Sequence, residues 1–249
     1  MVTEPEAGQA ARAGGAAESA GPALAGGAAG HGAPGGLASL ATLVSFAGLD
    51  GAGKTTQARL LAGWLADAGQ DVALEAPEGP SFIRSVLTEL AGEQGLADHH
   101  DVFGPDVTHL LTAFMRYRDW AERVLPAMRT RQWVITDRSA VCHYAAAYAV
   151  GAANLDTLRL VMDRLPRPGL TVYLDVTPAE AFARLARRQA GQEELAFLTA
   201  NEAGYRRLPE FAGFTVVPGS GSVAEVQARV QQAVRQCFPL PPQEGRSAD

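Results

Sequence analysis

The chain has 249 residues, 47% of them hydrophobic, and a formal net charge of −6. That length suits one sizeable α/β domain, the composition is that of a globular protein, and the acidic balance gives no overall pull toward nucleic acid or an anionic membrane. Two cysteines, Cys142 and Cys237, make no disulfide framework. With no apolar run long enough to span a bilayer and no targeting segment, a cytoplasmic protein is expected.

Residues 1–39 are mostly alanine and glycine, with Pro5, Pro22 and Pro34 and almost no large aliphatic side chain. Such a segment cannot bury enough apolar surface to offset the entropy of ordering it, so a disordered tail is expected. The folded domain is expected over 40–238, and 239–249 reads as a flexible polar tail. Residues 40–47 form a short apolar run followed by glycine, the pattern of a buried strand. Residues 54–68 carry apolar side chains at spacings of three and four, which predicts a helix that Gly69 closes. Strand and helix signals then alternate. Strands are expected at 71–75, 132–136, 170–176 and 214–217. Helices are expected at 80–91, 105–129 with a kink or break at Pro126, 138–150, 155–165, 179–188, 193–208 and 222–237. This alternation predicts a five-stranded parallel sheet between two layers of helices, with ligands at the carboxyl ends of the strands.

The segment GLDGAGKT, from Gly48 through Leu49, Asp50, Gly51, Ala52, Gly53 and Lys54 to Thr55, matches the phosphate-loop pattern in full. It lies after a strand and opens a helix, as that loop requires. Glycines let successive amides point at one centre, and the helix N-terminus adds positive charge. Lys54 is the residue expected to reach the outer phosphates, and Thr55 is expected to ligate magnesium. The motif therefore implies binding of a nucleoside triphosphate with Mg2+, without naming an acceptor.

The longer segment SFAGLDGAGKTTQ, which includes Thr56, resembles the phosphate loop of thymidylate kinases. LEAPEGPSFIR (74–84), LLTAFMRYRDWAERVLPAM (110–128), WVITDRS (133–139) and LTVYLDVTPAEAFARLARR (170–188) resemble that family's later motifs in the same order. The resemblance implies a P-loop three-layer α/β/α kinase that phosphorylates dTMP with ATP and Mg2+, commonly as a homodimer. By position it implies that Asp50 meets the acceptor sugar, that Arg84 and Arg138 hold the acceptor phosphate, and that Arg116 approaches the base. It implies that Asp137 orients the metal with Thr55. Arg184, Arg187 and Arg188 are implied on the ATP side, with Arg188 a catalytic arginine beside Lys54, Asp50 and Arg138. The plainer readings are solvated helix residues for Arg84 and Arg116, a structural ion pair for Asp137-Arg138, and a structural or capping role for Asp175.

Departures from the family pattern fall on the acceptor side. Thr112 stands where the family has a stacking Phe, with Phe114 or Tyr117 as candidate substitutes. Ser139 replaces an aromatic residue, and the segment 142–147 is altered, with Tyr144 or Tyr148 as candidate contacts. His143 reads as a core or surface histidine, and His99-His100-Asp101 as a solvated loop. These changes keep two alternatives open: a kinase for another, modified nucleoside monophosphate, and a nucleotide-binding protein with little catalysis.

Overall fold

The computed structural model describes residues 41–76, 79–186 and 192–239. The expected tails at 1–39 and from 240 onward lie outside them, as do Arg187 and Arg188. Five strands, β1 (Thr42–Ala47), β2 (Val72–Glu75), β3 (Trp133–Asp137), β4 (Leu170–Asp175) and β5 (Thr215–Pro218), form one parallel sheet in the order β2-β3-β1-β4-β5. β1 is apolar nearly throughout because it is covered on both faces, as a central parallel strand must be. Its register sets Phe46 opposite Asp137 on β3 and Ala47 opposite Tyr173 on β4. The chain order reverses around β1, so the crevice at its carboxyl end is the place where this sheet can admit a ligand.

Nine α-helices flank the sheet among the described residues: α1 (Lys54–Asp67), α2 (Gly79–Glu93), α3 (Gly104–Asp119), α4 (Leu125–Thr130), α5 (Ala140–Ala149), α6 (Leu155–Met162), α7 (Pro178–Ala186), α8 (Gln192–Arg207) and α9 (Val223–Cys237). α1 packs on the sheet and on α9, α5 packs on α8, and α3 lies between α2 and α6. α1 buries Gln57, Ala58, Leu61 and Leu65 on one stripe. Gly69 ends it with φ of 76°, and Gln70 N–H bonds to Leu65 O at 3.0 Å. α9 opens on a reciprocal cap between Ser222 and Glu225. Phe46, Leu61, Leu65, Ile135 and Leu174 are among the fully buried core residues. Tyr173 extends it, with its ring 5.2 Å from both Tyr205 and Phe211.

The single long helix expected over 105–129 is divided. A π-helical turn, Trp120–Val124, joins α3 to α4, and Leu125 N–H reaches back to Trp120 O. Pro126 has no N–H and its ring crowds the preceding turn, so the wider turn just before it accommodates the break. Asp175 caps no helix. Its carboxylate accepts from Arg206 at 3.1 Å, while Thr177 and Glu180 cap the start of α7 reciprocally.

Candidate active site

The loop from Gly48 to Gly53 leaves β1 and turns into α1. Two of its glycines are required by geometry. Gly48 and Gly51 have φ of 131° and 85°, and a Cβ there would lie 2.7 Å from Leu174 O and 2.5 Å from Ala181 O. Any side chain would push against backbone that cannot easily yield. Inside this turn Lys54 is buried and donates to Gly48 O at 3.0 Å, Leu49 O at 2.7 Å and the Asp50 carboxylate at 3.3 Å. Burial pulls its pKa below that of a free lysine, with the Arg138 charge acting the same way. Arg184 braces the loop from behind, donating to Gly219 O at 2.9 Å and Ala52 O at 3.4 Å. Thr56 is exposed on the first turn of α1.

Thr55 and Asp137 meet at the ends of neighbouring elements, with the hydroxyl donating to Asp137 Oδ2 at 2.5 Å. Asp137 Oδ1 is buried and has no hydrogen-bond partner among the described residues. A buried carboxylate oxygen left over beside a hydroxyl is a donor set suited to a hard cation such as Mg2+.

Arg138 follows directly. It is the one non-glycine with positive φ among the described residues, at 87°, and its N–H bonds to Phe46 O at 3.2 Å. A non-glycine held in this region is strained, and the surrounding β1–β3 pairing holds it there. Its guanidinium pairs with the Asp50 carboxylate. Burial alone would raise the Asp50 pKa, but the Lys54 and Arg138 charges hold it well below the usual carboxylate range. Burial would likewise lower Arg138, and the Asp50 charge more than reverses that. One carboxylate thus ties the loop lysine to the first arginine beyond it.

Beyond this pair opens a cavity of about 510 Å³ lined by Asp50, Arg84, Thr112, Arg116 and Arg138, all five residues that the sequence implied for an acceptor. Arg116 is 6% exposed, and its Nε and Nη1 have no partner among the described residues. Burial pushes it down to about 10. Arg84 is exposed at the rim. The Thr112 hydroxyl turns back on its own helix to Thr108 O and His109 O, at 3.1 and 3.0 Å.

The aromatic contacts expected from sequence are not the ones that line this cavity. Phe114 is 55% exposed and Tyr117 packs against the core. Tyr144 lines a separate cavity and donates to Asp163, and Tyr148 is exposed. Their places are taken by Phe197 and by His99, His100, His109 and His143. The segment read as a solvated loop is a 3-10 turn, His99–Asp101, facing the cavity. His100 stacks on His109 at 5.3 Å, and His109 meets His143 edge-on at 5.1 Å. Burial lowers His109 to about 4 and His143 to about 3, so both are neutral near pH 7. Asp98, His99 and His100 bring ligand atoms within 4.8 Å of one another. However, Asp98 already accepts from His100 N–H and pairs with His99.

Sequence reasoning missed His109, Phe197 and Asn201 as cavity residues. A signal for His109 existed: it stands three residues before Thr112 and seven before Arg116, on the same helix face. Phe197 and Asn201 likewise share a face of α8 by their spacing of four. Nothing in the local pattern, however, turns that face of α8 toward α3.

The thymidylate kinase family model matches residues 46–230. The thymidylate kinase of Caldanaerobacter subterraneus subsp. tengcongensis is 30% identical over 203 residues, covering 78% of this chain and 94% of its own length. That of Dinoroseobacter shibae is 35% identical over 208 residues, with 76% and 93% covered. A probable thymidylate kinase of Pyrococcus abyssi is 30% identical over 200 residues, with 77% and 95% covered.

Proposed function

Because the chain belongs to the thymidylate kinase family, we propose that it transfers the γ-phosphoryl group of ATP to dTMP, giving dTDP and ADP. The observation that carries this reading is the Asp50 carboxylate, which touches Lys54 of the phosphate loop and Arg138 of the cavity at once. A donor phosphate on Lys54 and an acceptor phosphate on Arg138 would therefore face each other across one residue. Two polyanions repel, and phosphoryl transfer needs little from a protein beyond cancelling that repulsion and fixing the line of attack.

In this reading, the amides from Gly48 to Thr56 and Lys54 bind the ATP phosphates, and Arg184 holds the loop that receives them. Arg187 and Arg188, which follow in sequence, supply further positive charge. Thr55 and Asp137 would hold Mg2+, which when bound neutralises charge shared by the two outer phosphates. Arg84 and Arg138 take the dTMP phosphate, Arg138 with the bidentate fork suited to it. Arg116 offers donors to the base carbonyls, Thr112 lines the base site, and Asp50 meets the sugar. The acting unit is taken to be residues 40–238.

A homodimer is the proposed assembly. Val107, Leu111 and Phe114 are exposed along one face of α3, and Phe82 and Val86 are exposed on the adjoining α2. Apolar side chains aligned this way on packed helices suit a second copy of the same face. Leu111→Asp combined with Phe114→Asp is expected to halve the sedimenting mass. A parent already monomeric at micromolar concentration would remove the dimer.

The function is tested by incubating the purified chain with ATP, Mg2+ and a panel of nucleoside monophosphates. dTMP is expected to drive the fastest ADP release with matching dTDP. A faster acceptor would replace dTMP, and ATP binding without acceptor-dependent ADP would end the kinase reading.

A further inference from the structure

Lys54 must move to act, and the structure specifies what it leaves behind. A lysine ammonium has three donor hydrogens, and here Gly48 O, Leu49 O and Asp50 Oδ1 receive Lys54 Nζ. To reach a polyphosphate, the ammonium has to withdraw from some of these acceptors. A buried acceptor abandoned by its donor is costly, in the range of a strong hydrogen bond. Each of the three nevertheless has a second donor. Leu49 O accepts Ala52 N–H at 3.1 Å. The Asp50 carboxylate is held by Arg138. Gly48 O accepts the hydroxyl of Tyr205 at 3.2 Å. The first two donors come from the loop or the strand end beside it. The third comes from α8, 157 residues further along the chain.

We infer that Tyr205 is a positioning residue for the reaction: its hydroxyl keeps Gly48 O satisfied when Lys54 turns from that carbonyl to the phosphates. It touches neither substrate. Its ring is 1% exposed and packed edge-on against Tyr173, so the hydroxyl is fixed where Gly48 O needs it. Burial, with the Cys142 thiol beside it, also raises its pKa well above that of a free phenol, so the hydroxyl keeps its proton.

The inference rests on the ATP reading above and is tested with Tyr205→Phe, which removes one hydroxyl and keeps the packed ring. Melting temperature is measured for the whole chain with and without MgATP, together with initial rates. Without ATP the variant should melt within about 2 °C of the parent, because Lys54 still serves Gly48 O. With ATP, affinity and kcat should each fall about tenfold, equivalent to about 1.4 kcal/mol, and KM for dTMP should hold within about twofold. The ATP-induced rise in melting temperature should shrink accordingly. A merely structural tyrosine would instead lower both melting temperatures together, and that result overturns the inference. So does an unchanged response to ATP. If the parent itself gains no stability from MgATP, the nucleotide reading fails and not this one alone.

Discussion

The phosphate loop and the cavity beside it are built from the same strand ends but obey different rules. In the loop the lysine and the acceptors around it are engaged: Lys54 has three acceptors, each acceptor has another donor, and Arg184 ties the turn to Gly219. In the cavity the reverse holds. Two nitrogens of Arg116 and both ring nitrogens of His109 are buried without partners among the described residues. The lysine of the loop is thus satisfied before any ligand arrives, whereas the side chains of the cavity carry hydrogen-bonding capacity to be satisfied by one. A phosphate is the same in every nucleotide, so its cradle can be generic. A base and sugar differ between nucleotides, so the groups that read them cannot be filled in advance.

This contrast can be broken in order of expected effect. Lys54→Ala should cut kcat by about a thousandfold or more, the scale of a lost cation around a transferring phosphoryl group. It should barely change the melting temperature, since no acceptor is orphaned; a variant that unfolds would show that the lysine is structural. Arg116→Met should lower kcat/KM for dTMP by about 10- to 100-fold, chiefly through KM, with KM for ATP unchanged. Because it removes a buried charge with unpartnered donors, it should leave stability equal or higher. An unchanged KM for dTMP would detach Arg116 from the acceptor.

Acid sensitivity sharpens the same contrast. His109 and His143 lie near 4 and 3 in the folded chain against 6.5 for the free ring. Between those values the unfolded chain binds protons that the folded one refuses, so stability falls as pH drops below about 6.5 and the loss is complete near pH 3. Each histidine contributes a slope of at most about 1.4 kcal/mol per pH unit within its window. His143→Asn should flatten the pH dependence of unfolding between pH 4 and 6 by close to one proton relative to the parent; an identical slope would mean that the ring is protonated in the fold. Smallest of all, deleting residues 1–39 should leave kcat/KM within about twofold. A larger loss would give the alanine- and glycine-rich segment a part in the reaction.

The donor half was legible in the sequence because it is local. Gly48, Gly51, Gly53, Lys54 and Thr55 lie within one turn and the start of one helix, and backbone sterics alone dictate their spacing. The strand ends that carry Asp137 and Arg138 were legible for a similar reason, since parallel strands deliver their C-terminal residues to one edge. The cavity wall was not. Arg116 was found from its motif, but His100, His109 and His143 come from a short turn, α3 and α5, and only the packing of those elements makes them neighbours. Thr112 marked a position without the family's phenylalanine. It could not show that histidines and Phe197 surround the space instead. Pro126 announced a break in the helix, though not its form, a π turn just before the proline.

The claim that the two anions meet across Asp50 is tested most directly by a single ligand that spans both halves: adenosine and thymidine joined through their 5′-oxygens by a chain of five phosphates. Calorimetric titration of the parent should give one site per chain, with affinity above that of ATP and of dTMP, abolished by excess of either one and weakened by both Lys54→Ala and Arg116→Met. Binding that ATP displaces but dTMP does not, or that ignores Arg116→Met, would mean that the loop and the cavity do not serve one reaction.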